Sequence, residues 1–243
     1  MFFTDFAPEG KKRMSYASSF GCVTIPDCWK EHYATLLSKL DCISVRENSG
    51  VTLVKELSGR DAIQVVDPSL LLTGDEWRKL EIMPNLKRKY IACYGALERE
   101  FVSQLAHKMA GNDIDVVRIN GKFMDYFKKS EHYILDAGPC EWLGLLDEAE
   151  MVIVGGSFHG TAFSIQFHKP FLSVLSGNAN HDSRQLGLLR DLGLEEHGIY
   201  RGAVDTEQLH KIMYETNWDE IDNRLLIRRN KSIEYLKDSL HEV

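Results

Sequence analysis

A chain of 243 residues, 44% hydrophobic and 27% charged, belongs with ordinary globular proteins and can bury a substantial core in one large or two small domains. Its net charge of -7 argues against non-specific nucleic-acid binding and leaves room for a local basic pocket. Five cysteines, odd in number and without a C-x-x-C pair or a His/Cys cluster, imply reduced thiols in a cytosolic protein and no metal site. No stretch approaches the roughly 18 apolar residues of a membrane span, so any membrane association would be peripheral.

Residues 1–13, MFFTDFAPEGKKR, read as a surface lead-in. Residues 14–21 mix apolar and small side chains and end in glycine, which suits a buried strand opening into a polar loop whose serines face a ligand. Residues 27–40 carry Trp29, Tyr33, Leu36, Leu37 and Leu40 at helical spacing, and residues 42–45 follow as a strand. Arg46 therefore sits at the carboxyl end of a strand, where it can bind an anion or pair with Glu47 or another acid. Val51, Leu53, Val54 and Leu57 mark the next helix, residues 62–66 a third strand, Asp67-Pro68 a turn, and Gly74-Asp75 another helix start. A polar, basic stretch near residues 82–88 places a boundary there.

The second half alternates again: a strand over 90–95, a helix over 98–109, a strand over 114–119 and a helix opened by Gly138-Pro139. The stretch MVIVGGSFHGTAFSIQFHKPF, residues 151–171, organises the chain. Its apolar strand breaks at Gly155-Gly156, and Ser157 is a good N-cap for a helix whose apolar stripe is Phe158, Ala162, Ile165 and Phe167. Such a turn presents the amides of Phe158, His159 and Gly160 with the positive end of the helix dipole, a ready anion site that puts His159 at the mouth of a crevice. A purely structural turn, with His159 capping something local, is the alternative. After a strand over 171–175, the loop 176–182 is flexible and polar, and Asn180, His181 and Arg184 are placed to join the same crevice. A final helix, about 218–240, has Ile221, Leu225, Ile233, Leu236 and Leu240 as its apolar stripe and Arg224, Arg228, Arg229 and Lys231 as a solvated face, and returns across the boundary to tie two lobes. The pattern predicts an α/β protein of two doubly wound parallel-sheet lobes: a partial amino-terminal lobe (1–85), a carboxy-terminal lobe with the anion site (86–217) and a closing helix (218–243).

Four segments in order, MSYASSFG, ISVRE, VVDPSLLL and SFHGTAFSIQFHKPF, resemble the polysaccharide pyruvyl transferase family over nearly the whole chain. The resemblance implies a fold similar to the B-type glycosyltransferases, phosphoenolpyruvate as donor substrate without a further cofactor, a glycan or lipid-linked sugar diol as acceptor, and a pyruvate ketal as product. It makes His159 the catalytic histidine and Arg46 the donor's anion-binding partner. From their places in the turn, the loop and the serine-rich segment, Ser157, Phe158, Gly160, Thr161, Arg184, Asn180 and Ser19 are expected to line the same donor site. The resemblance implies a cytoplasmic enzyme, compatible with peripheral attachment at the inner face of a membrane. Two departures stand out: Gly155-Gly156 replaces residues that are more often polar, and the amino-terminal glycine-rich turn and Gly-Ser-Asp-Gln segment of family members do not appear. The first lobe is thus expected to be incomplete and covered by self-association or a partner chain. A glycosyltransferase using a nucleotide-sugar donor and a non-catalytic binding subunit are the alternatives.

Overall fold

The computed structural model describes residues 3, 4, 6–119 and 132–241. Parts of the predicted lead-in (residues 1, 2 and 5) and the end of the closing helix (242 and 243) lie outside them. The larger sheet is six-stranded, wholly parallel, in the order β5-β4-β3-β6-β7-β8, where β3 is Tyr90–Gly95, β4 Asp115–Ile119, β5 His132–Ile134, β6 Met151–Gly155, β7 Phe171–Leu175 and β8 Gly198–Tyr200. Its central strands are continuous apolar runs because helices cover both faces. On one face α4 (Arg99–Ala110) and α8 (Thr206–Tyr214) pack Leu105, Met109, Leu209 and Met213 against Ile91, Ile153 and Leu172. On the other, α5 (Pro139–Asp147), α6 (Phe158–Gln166) and α7 (Ala179–Leu192) bring Leu146, Ala162, Phe163 and Leu189 against Ala92, Val152 and Val154. This is a doubly wound α/β arrangement.

The smaller sheet pairs β1 (Ser44–Val45) with β2 (Ile63–Gln64) in parallel. Helices α1 (Asp27–Ser38) and α2 (Asn48–Ser58) contribute Leu37 and Val54 to a small core with Leu40, Ile43 and Val45. The expected strand over 14–21 is reduced to bridges from Met14 to Cys42 and Ser18 to Val45. Ala17 takes φ +50° between them, a left-handed value that interrupts an extended ladder, and gives its amide to Ser44 Oγ at 3.1 Å. Two short edge strands, β5 and β8, carry too little pattern to be read from sequence.

A five-residue helix, α3 (Gly74–Arg78), precedes the segment leading to β3, and α9 (Trp218–His241) runs back over both sheets. Ile221 and Leu225 enter the core of the larger sheet. Further along, Ser232 Oγ accepts the Val66 amide at 2.9 Å and Tyr235 donates to Ser15 O at 2.9 Å. The inner face of this half is Ser232, Tyr235 and Ser239, while Leu240 is 60% exposed, because close approach to the first lobe favours small and hydrogen-bonding side chains over the expected leucine stripe. Nor are Arg228 and Arg229 solvated: Arg228 pairs with Asp191 at 2.8 Å, and Arg229 donates to Leu70 O at 2.8 Å and Leu72 O at 3.1 Å. No disulfide links the five cysteines, all of which lie among the described residues. Among the described residues no helix is long and apolar enough to cross a membrane.

Candidate active site at the facing strand ends

Three parallel strands deliver side chains to one crevice from their carboxyl ends. β1 ends into Arg46 and Glu47; β2 continues through Val65, whose amide donates to Val45 O at 2.9 Å, to Asp67; β6 ends at Gly155 and turns into α6. Gly156 takes φ +68°, and a Cβ there would meet Leu97 Cβ at 2.6 Å, so this position requires glycine. Ser157 Oγ accepts the Gly160 amide at 3.2 Å as the N-cap. That bond takes one of the three amides expected to face an anion and leaves those of Phe158 and His159 at the first turn.

Around Arg46 the two lobes meet. Its Nη1 donates to Asp67 Oδ2 at 2.6 Å, and its guanidinium lies 4.8 Å from the centre of the Phe158 ring on α6. Asp67, 4% exposed, also accepts the Ser69 amide at 3.0 Å and hydroxyl at 2.8 Å on Oδ1. His159 Nε2 stands 3.6 Å from the same oxygen, with its side chain 55% exposed. Burial opposes ionisation of Asp67, but His159, the Ser69 amide, the Arg46 guanidinium and the Ser69 hydroxyl outweigh it and hold the carboxyl well below the usual carboxylate range. At 3.6 Å the His159 contact is longer than a hydrogen bond, so the bonds from Ser69 and Arg46 carry the shift. Behind Asp67, burial pushes the Tyr16 hydroxyl up to about 12, and it donates to Val66 O at 2.9 Å.

Glu47 is 2% exposed, and its Oε1 gathers the first-lobe loop by accepting Ser19 Oγ at 2.8 Å, the Phe20 amide at 2.9 Å and the Gly21 amide at 3.4 Å. Its Oε2 lies 3.7 Å from Arg46 Nε, and each of these two buried atoms lacks a hydrogen-bond partner, as do Ser49 Oγ and Arg184 Nε. Arg184 projects from α7 to the opposite side of the loop, where a Cβ on Gly21 would lie 4.0 Å from its guanidinium.

The sequence of matched residues decides the family. Residues 1–178 fit the family described as polysaccharide pyruvyl transferase. The chain belongs to that family. No curated protein matches it in sequence. Solved structures similar to this pyruvyl transferase family member include the wall teichoic acid polymerase TagF (TM-score 0.44, 14% identity, 93% of this chain and 65% of that one), the glycosyltransferase SnogD from Streptomyces nogalater (0.44, 14%, 84% and 66%) and MurG from Acinetobacter baumannii (0.47, 8%, 92% and 65%). The chain thus spans just under two thirds of the length of these proteins.

In this family member the residues expected at the donor site fall into three groups. Arg46 and His159 meet at Asp67, with the Phe158 ring against both of them and Ser157 capping the helix that carries Phe158 and His159. Ser19 reaches the crevice only through Glu47, and Asn180 serves as a cross-lobe tie, accepting the Val23 amide on Oδ1 at 2.9 Å. Asn180 and His181 are not loop residues: α7 starts at Ala179, capped by Asn178, because buried Asp182 takes the amides of Ser176 and Gly177 and closes the loop tightly. Thr161 and Gly160 serve packing. Thr161 is fully buried, with its hydroxyl on Ser157 O and Ser173 Oγ at 3.1 Å each, and a Cβ on Gly160 would meet Val154 at 2.8 Å and Tyr94 at 2.9 Å. The expected single apolar stripe of α6 is also replaced: every residue but His159 is buried, since the helix is wedged between the sheet, α5, α7 and the turn at Pro68–Leu70.

Asp67 and Glu47 are the residues that sequence reasoning passed over. Asp67 reads as a turn former before proline, and Glu47 as a mere neighbour of Arg46. A signal was available: each is an acid at a strand's carboxyl end, inside the segments VVDPSLLL and ISVRE that carry the family resemblance.

Proposed function

We propose that this chain takes phosphoenolpyruvate as donor and transfers its pyruvyl group to two hydroxyls of a sugar diol, giving a pyruvate ketal and inorganic phosphate. The observation that carries the reading is the meeting of Arg46 with Asp67 and His159 at the amino end of α6, in a chain of the pyruvyl transferase family. Phosphoenolpyruvate brings a carboxylate and a phosphate. The helix terminus and the guanidinium of Arg184 suit one or the other, and Arg46, already paired with Asp67, orients the donor more than it supplies net positive charge.

The reaction needs a proton delivered to the methylene carbon, which makes the central carbon electrophilic. One sugar hydroxyl adds there and gives up its proton, phosphate leaves with the C–O electron pair, and the second hydroxyl closes the ring and gives up its proton in turn. His159 is the exposed acid–base group at the site and takes one of these transfers. The carboxylate of Asp67, bonded to Ser69 and Arg46, stays ionised beside it.

Isothermal titration with phosphoenolpyruvate, with UDP-glucose as the nucleotide-sugar control, tests the reading. Binding of phosphoenolpyruvate alone is expected, weakened in His159→Ala. Binding of the nucleotide sugar in its place would transfer the assignment to glycosyl transfer.

A further inference from the structure

We propose that Asp67 is the positioning residue that assembles this donor site, holding Arg46 of the first lobe and His159 of the second in register; the inference rests on the phosphoenolpyruvate reading above. The geometry is that of a rigid hub. Oδ2 takes Arg46 Nη1 at 2.6 Å, while Oδ1 is fixed by the Ser69 amide at 3.0 Å and hydroxyl at 2.8 Å and faces His159 Nε2 at 3.6 Å. Oδ2 is thereby bonded to Arg46, while Oδ1 is held by Ser69 so that it faces His159 beyond hydrogen-bond length. The hub itself cannot drift: Pro68 follows it, residues 68–70 form a single 3-10 turn capped by its own side chain, and the Val66 amide ahead of it is bonded to Ser232 Oγ on α9.

The residues that Asp67 joins come from different elements. Arg46 follows β1 and also faces Glu47 at 3.7 Å and the Phe158 ring at 4.8 Å, so without Asp67 it can turn its fork toward Glu47, whose Oε2 has no partner. His159 sits on α6, half exposed, with Phe158 at its edge at 5.5 Å, and Asp67 is the carboxylate it faces among the described residues. Losing Asp67 therefore releases both groups at once. No direct contact between Asp67 and the donor is required, which distinguishes a positioning residue from a catalytic one.

This role makes a prediction whose sign is opposite to that of simple electrostatics. Removing a carboxylate next to an anion site should tighten binding of a multiply charged anion if charge alone mattered. If Asp67 positions Arg46 and His159, Asp67→Asn should weaken phosphoenolpyruvate binding instead, by at least tenfold in isothermal titration. Ser69→Ala, which keeps the charge but removes one of the bonds that orient it, should weaken binding by a smaller factor, about threefold. Asp67→Asn should stay folded but melt below the wild type, because it breaks the buried pair with Arg46, Ser69→Ala should melt closer to the wild type, and a changed imidazole resonance of His159 in folded Asp67→Asn should accompany these losses. Wild-type binding with Asp67→Asn equal or tighter overturns the positioning role and leaves the donor assignment intact. Absence of binding by the folded wild type overturns the donor assignment, and the inference with it.

Discussion

Replacing Arg46 by alanine should damage the fold before it informs on the ligand. Arg46 faces two carboxylates that are 2% and 4% exposed, Glu47 and Asp67, and donates the 2.6 Å bond to the latter. Breaking a buried ion pair by deleting one partner typically costs about 3–5 kcal/mol, because the remaining charge stays buried and uncompensated. Asp67 keeps its two bonds from Ser69, and Glu47 Oε1 keeps its three donors, so the loss should fall at the low end, about 3 kcal/mol. Urea unfolding at pH 7 measures it. The pH dependence gives a second handle. The folded Asp67 is held below its unfolded value near 3.9, so its contribution is fully present above pH ~4 and is lost as pH falls through the folded value. Without Arg46, burial acts with less opposition, the carboxyl protonates more readily in the folded state, and the deficit of Arg46→Ala should shrink on acidification below pH ~4. A loss under about 1 kcal/mol at pH 7, or a deficit that grows on acidification, would refute the reasoning.

Other substitutions probe the second lobe. Gly160→Ala pushes a Cβ into Val154 and Tyr94 at 2.8 and 2.9 Å and should cost about 1–3 kcal/mol by overpacking, seen as a lower melting temperature. Ser157→Ala removes the α6 cap and should cost about 1 kcal/mol in urea unfolding. His159→Ala, by contrast, should unfold within about 0.5 kcal/mol of wild type, because the side chain is 55% exposed, and any loss of activity is then a site effect. His197 is buried between Phe171 O at 2.9 Å and Thr216 Oγ1 at 3.1 Å, and burial lowers its pKa. A base with a depressed folded pKa favours the fold above its unfolded value near 6.5 and disfavours it below, so His197→Gln should flatten the stability loss between pH 6.5 and 5.

The larger sheet was legible because parallel strands buried on both faces are written as largely apolar runs: β3 and β6 carry that signature, β7 carries it around Ser173, and β4 carries it over Val116 and Val117 beside the buried Arg118. The N-cap at Ser157 and the placing of His159 at its turn were legible for a local reason, since both follow from a strand, two glycines and a capping serine in sequence. What was hidden is long-range. Asp67 is 21 residues from Arg46 and joins His159 across the two lobes, and nothing in a Val-Val-Asp-Pro run says which cation will face the carboxylate. The start of α7 was misplaced because Asp182, six residues after Ser176, closes the loop and lets the helix begin at Ala179. The solvated face expected for α9 failed at Arg228 and Arg229, whose partners Asp191, Leu70 and Leu72 are distant in sequence.

A crystal structure of the wild-type chain soaked with phosphoenolpyruvate would test the central claim most directly. One anionic group should lie within hydrogen-bond reach of the first-turn amides of α6, with the donor's methylene facing His159 and the other anionic group turned toward Arg46 or Arg184. Phosphoenolpyruvate bound elsewhere, or an empty crevice at a saturating concentration of ligand, would contradict the account.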